Sequence, residues 1–258
     1  MAGTERFSVG RLRLIALARL FPAFFRRNRA AGLVRLGRDL GGWWVPSTGL
    51  SRDSVCYCIG VGEDVTFDLA LVDRFNCQVV SLDPTPKAVT YMSGLSTPRE
   101  LRFLPVGVAG SNREARFYSP RNLEHVSFSI PNLQHTEDFI VAPVRTLRTL
   151  MDELGHKTVD LLKLDIEGAE YEVLDSLHRD SIYPSTLCIE FDQPHSVIDT
   201  WRTIRRLHHA GYKTVSVDAF NFTFVRSHVS GVRKMSEELR PADSLVMDRR
   251  SVTGEQSA

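Results

Sequence analysis

From residue 51 onward, apolar runs of strand length alternate with segments of helical spacing. Val55, Tyr57 and Ile59 alternate with Cys56 and Cys58, so neither face of that run is polar. A strand covered on both faces belongs in the middle of a parallel sheet. The pattern predicts strands over 54–60, 78–83, 102–109, 159–165 and 186–192, and helices over 64–75, 85–95, 146–155, 168–178 and 196–210. Two last runs, 212–217 and 220–225, read as a closing antiparallel pair. Residues 111–145 are less regular, with short strands expected at 115–119 and 126–130; an insertion of this kind often covers an active site. Strand–helix alternation with a terminal hairpin gives a doubly wound α/β sheet. Before it, Leu14, Leu17, Ala18 and Phe21 fall at helical spacing, so residues 5–45 read as amphipathic helices broken near Pro22. The chain thus divides into a basic helical segment (1–50), a core domain (51–227) and a polar, partly disordered tail (228–258).

The first strand runs into Gly60-Val61-Gly62, then Glu63-Asp64 and a helix. A strand, a glycine turn and a helix suggest a nucleotide or nucleoside site, although glycine also serves such turns for purely structural reasons. The second strand adds weight, because QVVSLD ends in Asp83, 21 residues past Gly62. An acid about twenty residues on is where a ribose diol is held. The third glycine of the dinucleotide fingerprint is missing, since position 65 is Val. That argues against NAD and for a cofactor with ribose but no phosphates, a description that fits S-adenosylmethionine. Ligands in such sheets lie at the carboxyl ends of strands. The candidate positions there are Gly60, Gly62, Asp83, Ala109, Asp165, Glu167, Glu190 and Asp192.

Charge changes the picture only locally. The net charge is +1, which gives no global reason to expect nucleic acid. Residues 1–40, however, hold nine arginines against Glu5 and Asp39. That segment reads as a helical cap on the main domain or as a basic surface (residues 1–45) for peripheral contact with an anionic membrane. No run of 18 apolar residues occurs, so no transmembrane helix is proposed. Four cysteines in apolar runs read as small buried side chains in a reducing, cytoplasmic compartment.

Leu164-Asp165-Ile166-Glu167-Gly168-Ala169-Glu170 puts three carboxylates in six residues at the end of a strand. Helix capping explains one of them well and three poorly. Here LKLDIEGAEYEVL resembles the signature segment of the FkbM-type methyltransferases, and YCIGVG, SLDPTP and CIEFDQP agree with it. The resemblance spans roughly residues 50–226. It implies the seven-stranded, Rossmann-like class I methyltransferase fold, S-adenosylmethionine as cofactor, and O-methylation of a hydroxyl on a sugar, polyketide or other small metabolite. The alternative is a non-catalytic scaffold that docks through its basic N-terminus.

An aliphatic hydroxyl is a poor nucleophile and needs a general base or a metal. The bases on offer are Asp165, Glu167, Glu190 and Asp192 at strand ends, with His125 and His135 in the insertion. Asp165, Glu167 and His125 are the catalytic candidates. Asp192-Gln193 is similar in placement to the Asp-Asn pair with which catechol O-methyltransferases hold magnesium. Asp165, Asp192 and Gln193 are therefore the candidate ligands for Mg²⁺, as oxygen donors suit that ion.

Overall fold

The computed structural model describes residues 28–39, 41–121, 128–132, 135–191 and 196–226. The expected membrane-contact helix around Leu14, the tail after residue 227, His125, Asp192 and Gln193 lie outside these residues.

The central sheet is built from β1 (Asn28–Arg29), β4 (Val55–Ile59), β5 (Gln78–Leu82), β6 (Leu101–Leu104), β10 (Leu161–Leu164), β11 (Thr186–Glu190), β12 (Tyr212–Asp218) and β13 (Asn221–Arg226). Its order is β1-β12-β13-β11-β10-β4-β5-β6. The strands from β6 to β11 run parallel, and β13 enters antiparallel between β11 and β12. Apart from the two-residue edge strand β1, this is the expected seven-stranded sheet with its closing hairpin. Five helices among the described residues connect it: α1 (Thr66–Phe75), α2 (Pro86–Ser93), α3 (Leu147–Leu154), α4 (Glu170–Arg179) and α5 (Val197–His209). The central strands β4 and β10 are buried at every position, which is why their sequences read as continuous apolar runs. Three of them, α2, α3 and α5, start where Thr85, Thr146 and Ser196 accept N-terminal amides with their hydroxyls. All four cysteines are buried. No helix among the described residues is long and apolar enough to cross a membrane.

Two regions depart from the sequence reading. The described part of the segment expected to be helical (5–45) instead holds β1 and a hairpin of β2 (Leu33–Leu36) and β3 (Trp43–Pro46). Trp43 and Val45 are buried, and Thr223 donates to the Trp44 carbonyl at 2.7 Å, so the hairpin is part of the main core. Gly41-Gly42 between two apolar runs is a hairpin signal that the helical periodicity upstream obscured. The second region is the insertion, which forms a separate sheet ordered β7-β9-β8 from β7 (Gly107–Val108), β8 (Arg113–Tyr118) and β9 (Phe139–Arg145). Pro105 follows the end of β6, so the strand expected over 102–109 is split between two sheets. β9 was not expected: short strands were read only at 115–119 and 126–130, and Pro143 interrupts the β9 run. β7 pairs with β9 only at Val144 and Arg145, so Pro143 stands where β8 alone is its neighbour. Arg113 to Glu172 (3.3 Å) and Arg179 to the Gly110 carbonyl (2.9 Å) tie this sheet to α4.

Candidate active site

A cavity of about 560 Å³ opens at the carboxyl ends of β5, β4 and β10. Strand order gives it two ends. The β5 side contributes Leu82, Asp83, Pro84 and Thr85, joined by Gly107, Val108 and Phe117 of the small sheet. The β10 side contributes Lys163, Asp165, Ile166, Glu167 and Ala169. The glycine turn with Glu63 and Asp64 lies between, and Gly41 of the hairpin joins the rim. The apolar end is therefore over β5, and the charged end is over β10.

Gly60 has φ 87°, and a Cβ there would sit 1.8 Å from the Asp165 carbonyl oxygen. Its need for glycine is thus close packing against β10 as well as access for a ligand. The turn is held from the other side by Asp83. Oδ2 of Asp83 accepts from the amides of Val61 (3.1 Å) and Gly62 (2.9 Å), and Oδ1 accepts from the amide (2.8 Å) and hydroxyl (2.6 Å) of Thr85. A carboxylate offers about four acceptor sites, and Asp83 fills them within the protein. Spacing alone assigned it to a ribose; the structure also makes it the organiser of the turn. Ala109, expected beside the cofactor, is instead buried in the small sheet's own core.

The three clustered carboxylates have three different surroundings. Asp165 pairs with Lys163 at 3.1 Å. Glu170 is 2 % exposed, and its two oxygens accept from the amides of Ile166 and Gly168, each at 2.9 Å. This clamp spans Glu167, which sits at φ 55°, a strained conformation for a residue with a side chain, and lines the cavity. The sequence reading grouped Asp165 with Glu167 as catalytic candidates; the turn gives them different surroundings.

Lys163 is the group that sequence reasoning missed. It is 5 % exposed, in the middle of the sheet, and its Nζ donates to the Gly60 carbonyl at 2.7 Å. Burial alone would lower its pKa, but the carboxylates of Asp165 and Asp68 outweigh that and raise it. Burial would likewise raise Asp165, yet Lys163 and a hydrogen bond from Glu190 hold it below the usual carboxylate range. Asp68 on α1 is fully buried and accepts from the Ser81 hydroxyl. Burial pushes it up to about 6, against the opposing pull of Lys163. A lysine inside an apolar strand was the available signal, since a buried ammonium requires partners.

A pH dependence follows from Asp68. Its folded pKa of about 6 lies above the ordinary value of 3.8, so between those pH values the native state holds a proton that the unfolded chain has released. This group's contribution therefore falls as pH rises through that window. Asp68→Asn should flatten that part of the curve, read by urea denaturation from pH 4 to pH 7 (about the span of the two pKa values). An unchanged difference between variant and parent across the window would remove Asp68 as the titrating group.

Magnesium finds no ligand set among the described residues. No three His, Cys, Asp or Glu side chains there are placed to hold a metal ion, and Asp165 is already neutralised by Lys163. Asp192 and Gln193 lie outside the described residues.

Residues 54–214 match the methyltransferase FkbM domain. No curated protein matches the chain. Among solved structures the chain is similar to the Methanococcus jannaschii fibrillarin pre-rRNA processing protein, at 10% identity and TM-score 0.40 over 68% of this chain and 67% of that one. It is similar to precorrin-6y C5,15-methyltransferase from Geobacter metallireducens at 11% identity and TM-score 0.36, over 70% and 85% of the two chains. It is also similar to Aeropyrum pernix fibrillarin, solved with natively bound S-adenosyl-L-methionine, at 10% identity and TM-score 0.36 over 78% and 84%. The domain match covers well over half of the sequence and the whole parallel core, from β4 into β12, and by it this chain belongs to the FkbM methyltransferase family.

Proposed function

We propose that the protein is an S-adenosylmethionine-dependent O-methyltransferase acting on a hydroxyl of a sugar, polyketide or other small metabolite. The observation that carries the reading is the charge of the cavity. Glu63, Asp64, Asp83, Asp165 and Glu167 line it, and Lys163, tied to Asp165 and Gly60, is the single basic residue among the described lining. Such a lining repels phosphates and favours a ligand that carries a sulfonium and an ammonium. Its apolar β5 end and charged β10 end match the two halves of that cofactor. When bound, S-adenosylmethionine supplies a methyl group activated for attack by its positively charged sulfur.

The chain's own residues would do the rest. Asp83 and the glycine turn fix the ribose end, and the turn's close backbone lets the ligand lie on β4. Glu167, aimed into the cavity by the Glu170 clamp, would take the proton from the acceptor hydroxyl. Asp165 is the weaker candidate base, because the Lys163 ammonium depresses its basicity. The segment that packs on the small sheet, through Phe128 and Ile130, would hold the acceptor in place and keep water from the reacting atoms.

The test has two stages. S-adenosylmethionine should raise the melting temperature by mass action while NAD should not. A panel of hydroxylated metabolites should then be assayed with methyl-labelled cofactor. Stabilisation by NAD alone would overturn the reading; cofactor binding with no transfer to any acceptor would favour the non-catalytic alternative. Within this reading, Asp83→Ala should weaken cofactor binding by roughly 1.5–3 kcal/mol, because it removes the charged hydrogen bonds that hold the Val61–Gly62 turn in shape for the ribose. Calorimetry giving an unchanged affinity would take Asp83 out of the site.

A further inference from the structure

We propose that a second cavity, between α4 and α5, binds a small amphipathic anion, a single acidic head group on an apolar chain. The proposal is independent of the cofactor reading. The cavity measures about 540 Å³, within the range of small-molecule sites. It lies at the end of the sheet away from the active site, where β11 and β12 begin and β13 ends, at Leu187, Tyr212 and Arg226. α4 connects the two ends. Its first residue, Glu170, clamps the active-site turn, while Leu174, Leu177 and His178 further along line the second cavity.

Its charge is the reverse of the active site's. Arg206, Arg226, His178 and His209 line it, and no Asp or Glu is among the described lining. Such a wall attracts anions. Arg226 is the anchor. Its guanidinium lies over the Tyr183 ring at 4.2 Å, and its Nε donates to the carbonyl of Ala210, the C-cap of α5, at 3.2 Å. That bond caps the helix and leaves the two Nη nitrogens as donors. No carboxylate pairs with Arg226 among the described residues. A half-buried guanidinium held in one orientation without a counter-charge suits a bidentate carboxylate or phosphate. Arg206 is paired with Asp175 across the two helices and is the lesser contributor. Beside these groups the surface is apolar: Leu207 and Ala210 of α5 are partly exposed over the core residues Leu177 and Leu187. An acid without a chain would leave that floor wet, and a chain without an acid would leave Arg226 unpaired. One molecule that carries both answers both.

The experiment uses the full chain, with decanoate as the probe at concentrations too low for micelles. Calorimetry should show decanoate binding, with acetate (the head alone) and decanol (the chain with no charge) each weaker by about tenfold or more. Arg226→Gln should weaken decanoate by about tenfold or more, the scale of a charged hydrogen bond. In parallel, the chain protons of bound decanoate should show nuclear Overhauser contacts to the methyl groups of Leu207 and Ala210 in the unaltered protein. That reading needs no variant to fold, and a purely structural role for Arg226 would not produce it. S-adenosylhomocysteine should leave the decanoate affinity unchanged, since the two cavities are at opposite ends of the sheet. Absence of decanoate binding would overturn the proposal, as would decanol binding as tightly as decanoate or an Arg226→Gln affinity equal to the parent's. So would displacement of decanoate by S-adenosylhomocysteine, or contacts only to residues of the active site. Capture of the chain on phosphatidylglycerol vesicles, abolished by Arg226→Gln while free decanoate stays unbound, would overturn it in favour of a membrane surface.

Discussion

Replacing Glu167 with glutamine is expected to lower kcat by roughly 10²–10⁴-fold, the usual range for loss of a positioned general base. KM for the cofactor should stay close to that of the parent, because in the proposed role the carboxylate acts on the acceptor's proton and not on ground-state cofactor binding. The amide is nearly the same size and leaves the Glu170 clamp on Ile166 and Gly168 in place. The turn at φ 55° should therefore persist, and the variant isolates the proton transfer from the geometry. The pH profile provides the sharper reading. A rate that rises with deprotonation of Glu167 should lose that acid limb in the glutamine variant. The acceptor found by the metabolite panel serves as substrate. A Glu167→Gln enzyme retaining more than about a tenth of the parent kcat would move the proton to another group. The same measurement on Asp165→Asn would then decide whether the ion-paired acid does the work.

The sheet was legible because β4, β5, β10 and β11 carry their burial in their own sequences. Apolar side chains on both faces admit few placements other than the middle of a parallel sheet. The glycine turn, Asp83 and Glu167 were legible by position, since strand ends and spacing locate them without knowledge of partners. What each one does was not. Asp83 meets Val61, Gly62 and Thr85 across two loops, and nothing in SLDPTP says that its oxygens are taken up there. Among the three acids of LDIEGAE, only the fold tells that Asp165 pairs with Lys163, that Glu170 clamps the turn, and that Asp165 and Glu167 line the cavity. The β2–β3 hairpin was misread because helical periodicity upstream was extended through Gly41-Gly42. β9 was not read within the stretch taken as irregular; Pro143 argues against a strand there, and only the fold shows that β7 stops one residue short of it. Lys163 was readable and was passed over. It lies two residues before Asp165, hence on the same side of the strand, in a run otherwise too apolar to leave it unpartnered.

Lys163 also carries the largest expected stability effect. Lys163→Met should destabilise the fold by about 3–5 kcal/mol, the cost typical of removing one partner from a buried ionic cluster. The Met side chain fills much of the same space, so the loss is electrostatic before it is steric. Three acceptors lose their donor or counter-charge: the Gly60 carbonyl, Asp165 and Asp68. Asp165 is 34% exposed, so water screens part of its share, and the burden falls on Asp68, which is 2 % exposed. Without the ammonium, Asp68 loses a contribution that lowers its pKa, so its titration should move above 6 and the variant should regain stability as pH falls towards 5. Combining Lys163→Met with Asp68→Asn should recover a good part of the loss, because the second change removes the charge that the first left unpaired. Urea denaturation of the parent, both single variants and the double variant completes the cycle. A Lys163→Met cost below about 1 kcal/mol, or strict additivity with Asp68→Asn, would show that the two groups do not share one buried network. The same variant ties stability to function, because the Gly60 carbonyl is where β10 holds the cofactor turn. Its cofactor affinity should fall even under conditions where the chain is fully folded, and an affinity equal to the parent's would confine Lys163 to the core.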